Sequence, residues 1–220
     1  MPPRRGVVAA VRKALPRVRR RVRLDNDSRR AQLLQLARRA FSVRAYDEVS
    51  IDDLAREAKI SKGLLYHYFP TKRDLYVAGL SEIADELVQR VLNIPPDLAP
   101  PERVRAGLEA YLEFITQHQR AFVSLMRGGI GSDPEVAGVI ERVRTRLADG
   151  FLDGSPFESI LRGDARFETA LRGWIGFVEG ASIDWCATPR ISRTDLREML
   201  AEVLFAVLAV VAPLALKAPR

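Results

Sequence analysis

A Ser/Thr-x-x-Asp pattern occurs at three places in the chain, as Ser50–Asp53, Thr71–Asp74 and Ser192–Asp195. In such a pattern the first side chain accepts a hydrogen bond from the amide three residues later. The acidic side chain accepts one from the first amide, and a helix begins there. Apolar residues recur at helical spacing along the chain, and no stretch shows the sustained apolar–polar alternation of a β-strand. The sequence therefore predicts an all-α protein.

The helical periods predict about nine helices. They are expected near residues 28–43, 51–57, 62–68, 72–92, 102–118, 119–127, 134–152, 164–186 and 193–212. Residues 58–60 are predicted to form a tight turn, and residues 128–134 and 153–159 to form loops. Four prolines at positions 95, 96, 100 and 101 interrupt the pattern and mark the best candidate boundary between functional regions.

The net positive charge lies entirely in the first third of the chain. Residues 1–27 carry a net charge of +7, residues 28–80 carry +4 and residues 81–220 carry −4. Such asymmetry indicates that one end of the chain binds a polyanion. A solvated tail without a partner is the alternative for residues 1–27. Either way, residues 1–27 are predicted to form a basic, flexible arm.

The composition argues against several other classes of protein. Cys186 is the only cysteine, and the two histidines, His67 and His118, are far apart, so neither a disulfide nor a metal site is predicted. The most apolar run, residues 203–216, contains Pro213 and is shorter than the ~20 residues of a membrane-spanning helix. No nucleophile elbow, P-loop or dinucleotide fingerprint occurs. We expect a cytoplasmic protein that is not an enzyme and needs no cofactor.

The first three predicted helices and the turn at 58–60 have the proportions of a helix-turn-helix. Their small core is predicted from Phe41, Leu54, Ala55, Ile60, Leu65 and Phe69. On the third helix, Lys62 and Tyr66 are four residues apart, as are Gly63 and His67, so each pair shares a face that the core does not need. The free amides at the start of this helix suit a phosphate.

The stretch AFSVRAYDEVSIDDLAREAKISKGLLYHYFPTKRDLYVAGL, residues 40–80, resembles the DNA-binding region of the TetR family of bacterial transcriptional regulators. Within it, SKGLLYHYFPTKRDL is close to the family's usual SKGTLYHYFPSKEAL. The resemblance implies a DNA-binding domain at residues 28–80 and a helical ligand-binding and dimerisation domain at residues 81–220.

Carried over residue by residue, the resemblance implies that Tyr66 and Lys72 contact phosphates and that Ser50 approaches the DNA backbone. Such contacts fix the position of the protein, whereas contacts with base edges read the sequence. Asp52 and Asp53 stand where some relatives place a basic, base-reading residue, and helix capping is the simpler role for them.

The resemblance also places Lys62, Gly63 and His67 in or near the major groove. Leu64 stands where the family often has threonine, and it either touches a thymine methyl group or makes no contact. The complete predicted DNA-binding set is Ser50, Ser61, Lys62, Gly63, Leu64, Tyr66, His67 and Lys72.

In the second half, the resemblance implies a ligand pocket and a homodimer formed by the helices near 164–186 and 193–212. The last helix is apolar over a wide arc, which requires burial on more than one side. A dimer satisfies this requirement and places two reading heads on a near-palindromic operator; a buried helix in a monomer is the alternative. The pocket candidates are Phe114, His118, Phe122, Met126, Trp174, Phe177, Glu179 and Trp185.

The pocket candidates suit a hydrophobic or aromatic effector, although each of them also fits a plain core. The leading hypothesis is a homodimeric repressor that such an effector releases from its operator. The alternative is a non-specific DNA-binding or architectural protein that acts through the basic arm.

Overall fold

The computed structural model describes residues 19–95, 97–153 and 158–215. The helices of its first part are α1 (Arg19–Val43), α2 (Ile51–Glu57), α3 (Lys62–Tyr68) and α4 (Lys72–Leu92). Those of the remainder are α5 (Pro100–Gln117), α6 (Gln119–Arg127), α7 (Pro134–Leu152), α8 (Glu158–Leu161), α9 (Ala165–Ala187) and α10 (Arg193–Ala215). Single 3₁₀ turns occupy Tyr46–Glu48 and Gly129–Ser132. The described ranges contain no β-strand, and the all-α prediction is confirmed.

All nine predicted helices are present, and two boundaries need correction. Helix α1 is already helical at Arg19, so residues 19–27 belong to it rather than to a flexible arm. This stretch lacks glycine and proline, and its Asn26 carboxamide accepts a hydrogen bond from the Tyr68 hydroxyl at 2.6 Å. Residues 1–18 of the predicted arm lie outside the described residues. The one-turn helix α8 begins within the loop predicted at 153–159, of which residues 154–157 also lie outside.

Only one of the three predicted capping boxes has both of its hydrogen bonds. At the start of α4, Thr71 and Asp74 exchange two bonds of 3.0 Å. At the start of α2, the Ser50 hydroxyl accepts from the Asp53 amide at 3.4 Å, but the Asp53 carboxylate pairs with Arg56 instead. A charged donor competes well against a neutral amide. Before α10, the Ser192 hydroxyl makes both bonds with Asp195, and the Ser192 amide makes neither.

Helices α1, α2 and α3 and the start of α4 enclose one apolar core, which we call the head. Of the six residues predicted for it, five are buried, and Ile60 is partly buried against it. The turn between α2 and α3 closes by a hydrogen bond from the Ile60 amide to the Ala55 carbonyl at 3.0 Å. Lys59 adopts a φ of 56° there, which is the left-handed conformation that commonly ends a helix.

Helix α4 connects the head to the rest of the molecule and packs against α1, α5 and α7. At Gly79 an added Cβ would lie 3.4 Å from the backbone nitrogen of Arg38, so the glycine permits the close approach of α4 and α1. Val136 and Val139 of α7 are buried in the same core as the head. Because α4 continues through residue 80, the predicted division between residues 80 and 81 falls inside a helix.

The remaining core is formed by α5, α7, α9 and α10. Leu196, Leu200 and Leu204 of α10 are almost fully buried, and the Trp174 indole of α9 donates to the Leu200 carbonyl at 3.0 Å. None of the described helices combines the length and the apolar character that crossing a membrane requires. The second half therefore forms a helical bundle in which α10 packs against α5, α8 and α9, and α4 packs against α5 and α7.

We predict that two adjacent leucines of α3 differ sharply in their effect on stability. Leu65→Ala should lower the free energy of unfolding by about 2–5 kcal/mol, because its side chain is 1% exposed in the core of the head. Leu64→Ala, at a side chain that is 39% exposed, is the matched control and should change it by less than about 0.5 kcal/mol. Denaturant unfolding measures both. Equal losses would show that α3 does not pack by Leu65 alone.

Candidate DNA-binding surface and internal cavity

Helix α3 turns most of its side chains toward solvent. Ser61 caps it by accepting from the Leu64 amide at 3.1 Å. Of the seven helical residues, Leu65 alone is buried and Tyr68 is half-buried, while Lys62, Gly63, Leu64, Tyr66 and His67 are exposed. The structure thus places Leu64 on the outer surface with the predicted contact residues. Near an added Cβ at Gly63, only the Ser61 hydroxyl lies within 4 Å, so a groove wall has room to approach.

The charged side chains of α2 lie beside this surface. The Lys62 ammonium is 3.1 Å from the Asp52 carboxylate, and Asp53 pairs with Arg56. Asp52 therefore partners Lys62 rather than only capping α2. Both members of the Lys62 pair are at least half exposed, so water screens it and the pair can exchange for a phosphate contact at low cost.

Lys72, at the start of α4, is held by an aromatic ring. Its ammonium lies 4.3 Å from the centroid of the Tyr46 ring, and Tyr46 packs edge-on against Tyr76 at 4.9 Å. The cation–π contact restricts the lysine without neutralising it. Tyr46 was not among the residues predicted from the sequence. The sequence feature that could have indicated it is an aromatic residue in the short link between α1 and α2 of the head.

The next residue, Arg73, anchors α4 to α7. Its guanidinium donates two hydrogen bonds to Asp133, at 2.5 and 2.8 Å, and one to Glu135 at 3.1 Å. Asp133 also caps α7 by accepting from the amides of Glu135 and Val136. The hydrogen bonds from Arg73 lower the pKa of the Asp133 carboxyl. Lys72 thus contributes to the outer surface, whereas its neighbour Arg73 joins α4 to α7.

A cavity of about 470 Å³ runs along the inner side of α4, between α1, α5, α6, α7, α9 and α10. Six of the eight predicted pocket residues line it: Phe114, His118, Phe122, Met126, Trp174 and Glu179. Phe177 and Trp185 do not line it. Trp174 and Val178 are four residues apart and face inward, so Phe177 between them is exposed. The Trp185 indole donates to the Ile191 carbonyl in the α9–α10 loop.

Much of the cavity wall comes from helices that the sequence analysis did not consider for it. On α4 and α7 the wall includes Leu80, Ile83, Ala84, Leu87, Val91, Val139, Ile140, Val143 and Leu147. The sequence feature that could have indicated this wall is an apolar stripe on α4 and α7 that is wider than one neighbouring helix can cover. The sequence alone does not distinguish such a stripe from a filled core.

Among the described residues of the cavity wall, Arg144 and Glu179 form one ion pair. Arg144 donates two hydrogen bonds to Glu179, at 2.9 and 2.7 Å, and these bonds raise the pKa of Arg144. Glu141 lies 3.5 Å from Arg144 and 2.7 Å from Arg172. Glu179 therefore has the partner that a partly buried carboxylate requires, whereas Asp184 is exposed and 4.0 Å from Arg190.

His118 connects the cavity with the head. Its Nδ1 atom lies 2.9 Å from the Ser42 carbonyl oxygen at the end of α1. Because a carbonyl oxygen only accepts, Nδ1 carries the proton and donates it. The ring also packs on Phe114 at 4.5 Å. Burial is the largest cause of the lowered pKa of His118. The Ser42 carbonyl and Glu86 raise this pKa, whereas Arg90 and Arg38 lower it further.

We predict that His118 makes stability depend on pH. Its folded pKa lies below the ordinary value of 6.5, so the unfolded chain binds the proton more readily. The contribution of His118 is complete above that value and is lost as the pH falls below it. His118→Gln should therefore reduce the difference in unfolding free energy between about pH 8 and pH 5, measured by denaturant unfolding. An unchanged difference would contradict this assignment.

Comparison with known proteins agrees with this arrangement. Residues 33–78 match the family described as bacterial regulatory proteins of the tetR family. Residues 100–207 match the Tetracyclin repressor-like C-terminal domain. The crystal structure of a tetR-family transcriptional regulator from Streptomyces coelicolor superposes with a TM-score of 0.73 and 34% identity, over 85% of this chain and 83% of that chain.

Two curated relatives come from Mycolicibacterium smegmatis. The transcriptional activator FasR is 32% identical over 136 residues, which are 61% of this chain and 62% of the relative. The transcriptional regulator EthR is 34% identical over 111 residues, which are 47% and 48% of the two chains. The chain thus spans less than two thirds of the length of these relatives, which are named as regulators of transcription and not as enzymes. On both the sequence and the structural likeness, the chain belongs to the TetR family of bacterial regulatory proteins.

Proposed function

We propose that the chain is a cytoplasmic transcriptional regulator that binds a near-palindromic DNA site as a homodimer and responds to an apolar small molecule. The observation that carries this proposal is the exposed face of α3, where Lys62, Tyr66 and His67 surround Gly63 on a helix anchored by Leu65. A short, rigid helix with polar side chains outward is the form in which a helix-turn-helix enters the major groove.

The charge around this face suits a DNA backbone. Lys72 sits at the start of α4 with its ammonium over an aromatic ring, so it keeps its full charge for a phosphate. Tyr66 is 37% exposed on the neighbouring helix and offers a hydroxyl donor. Phosphate contacts from these two residues would fix the orientation of α3, and Lys62, Leu64 and His67 would meet base edges.

The homodimer is inferred from apolar surface on α9 and α10. Phe177 of α9 and Met199 of α10 are both 39% exposed, and Val210 of α10 is 66% exposed. Three glycines of α9, Gly173, Gly176 and Gly180, have no atom within 4 Å of an added Cβ and leave a smooth surface. A second copy of the same two helices would bury these residues in an isologous interface and pair two heads on one duplex.

The effector would act through the cavity. His118 lines the cavity and also donates to the end of α1, and α4 forms both a wall of the cavity and part of the head core. A ligand that favours one spacing of the two heads changes the affinity for DNA. Release by the ligand makes the protein a repressor. The opposite sign of the coupling makes it an activator, the role that the name of FasR states.

We predict that Lys72→Gln weakens binding to every duplex without changing the preferred sequence. Selection from a random duplex pool should enrich a near-palindromic site for the native protein and for Lys72→Gln alike. The slope of log affinity against log salt should become shallower by about 0.9 per head, because one phosphate contact is lost. Arg190→Gln removes an exposed charge from the α9–α10 loop and is the control. Equal affinity for all duplexes would favour the architectural alternative and overturn the proposal.

We also predict that Phe177→Glu separates the dimer, because it places a charge in the apolar surface of α9. Light scattering coupled to size-exclusion chromatography should give twice the monomer mass for the native chain and the monomer mass for the variant. Thr145→Glu adds the same charge at an exposed position of α7 and should leave the mass unchanged. A native chain that is monomeric at micromolar concentration would remove the homodimer from the proposal.

A further inference from the structure

The cavity extends along most of α4. The lining residues on α4 extend from Tyr76 to Leu92, a distance of about 24 Å at the rise of an α-helix. An apolar space of this length can hold an extended hydrocarbon chain.

The two ends of the cavity differ. At one end it is lined by Leu92 and Ile94 after α4 and by Pro100, Pro101 and Arg103 at the start of α5. Leu92, Pro100 and Pro101 are exposed, so this end meets solvent. The opposite end is lined by Phe41 and Tyr76, which are buried in the head, and by Ser42 and His118. We call the first the mouth and the second the closed end.

Arg103 is an unmatched charge at the mouth. Arg103 is half-buried and lines the cavity. Within the described ranges, no hydrogen bond or ion pair satisfies its guanidinium. Five other half-buried arginines each pair with a carboxylate, namely Arg38, Arg73, Arg105, Arg144 and Arg197, whereas among the described residues Arg29 and Arg44 do not. A partly desolvated guanidinium favours a carboxylate or phosphate partner, to which it can donate two parallel hydrogen bonds.

No other cavity residue competes for an anion. Arg144 is already neutralised by Glu179 through two hydrogen bonds. His118 is kept neutral by burial, which lowers its pKa, and it donates to a carbonyl. The start of α5 adds the partial positive charge of a helix N-terminus beside Arg103. The positive potential of the cavity is therefore concentrated at the mouth, and the remaining wall is almost entirely apolar.

We propose that the cavity binds a single-chain amphiphile whose anionic headgroup pairs with Arg103 and whose hydrocarbon chain extends along α4 toward Phe41 and Tyr76. This inference rests on the proposed function only in taking the occupant as the effector. It adds a chemical class, an orientation and a length requirement. Only a chain long enough to reach the closed end contacts His118 and the end of α1, so chain length decides whether the head is affected.

The headgroup is tested by direct binding without DNA, using titration calorimetry on the full chain. The probes are hexadecanoate, hexadecyl phosphate and the uncharged hexadecanol. We expect Arg103→Gln to weaken binding of at least one anionic probe about tenfold or more and to leave hexadecanol unchanged. The two anions distinguish a carboxylate from a phosphate headgroup. Arg142→Gln, at an exposed arginine of α7 outside the cavity, is the matched control. Equal affinity of the native chain for all three probes overturns the proposal.

The orientation is tested by chain length. In the native protein, affinity should rise from octanoate to hexadecanoate as each added methylene is buried. Ala84→Leu narrows the cavity midway along α4, so it should weaken hexadecanoate binding and spare octanoate. Thermal unfolding confirms that the variant is folded, and the native chain-length series decides the question if it is not. An affinity independent of chain length overturns the proposal. If no amphiphile binds while a specific duplex is still selected, this inference fails and the DNA-binding proposal stands.

Discussion

The fold depends on the burial of α4 by two different sets of partners. Its first half closes the core of the head against α1, where Gly79 allows the two backbones to approach. Its second half forms a wall of the cavity, with Val88 buried on one side and Leu87 and Val91 lining the space. Helix α4 runs through both regions as 21 consecutive helical residues. The head and the cavity therefore share one rigid element.

Two polar contacts reinforce this connection at different places. Arg73 and Asp133 join the first turn of α4 to the first turn of α7, and His118 joins the α5–α6 junction to the end of α1. Both contacts use charged or backbone groups with little freedom, so a displaced partner loses most of the bond. A change in the cavity wall reaches the head through packing at α4 and through these two contacts. In the proposed function, ligand control would act through this connection.

The sequence predicted local structure well because local rules govern it. Helix ends at 51–57, 62–68, 119–127 and 134–152 agree with the structure, since capping residues, prolines and glycines act within a turn of themselves. The buried and exposed positions of α3 also followed from helical spacing. The start of α1 was misplaced because helix propensity in an arginine-rich segment gives no periodic apolar signal.

Contacts between distant residues were not predictable from local rules. Nothing near Arg73 indicates Asp133, and nothing near Lys62 selects Asp52 over Asp53. The cavity was only partly foreseen. Aromatic residues drew attention to α5, α6 and α9, whereas the small and aliphatic residues of α4 and α7 look like ordinary core. An empty space depends on how three or more helices meet, and apolar periodicity on one helix carries no information about it.

The acidic residues of the head bear on specificity. Lys62 is paired with Asp52 and Arg56 with Asp53, so two of the basic side chains around α2 and α3 have a nearby carboxylate. These carboxylates reduce the positive potential that a duplex meets at the two side chains. Lys72 has no carboxylate among its described contacts and remains available for non-specific attraction. In the proposed function, this distribution of charge would limit the general attraction of the head to DNA and favour a duplex whose base edges complement α3 over one that offers phosphates alone.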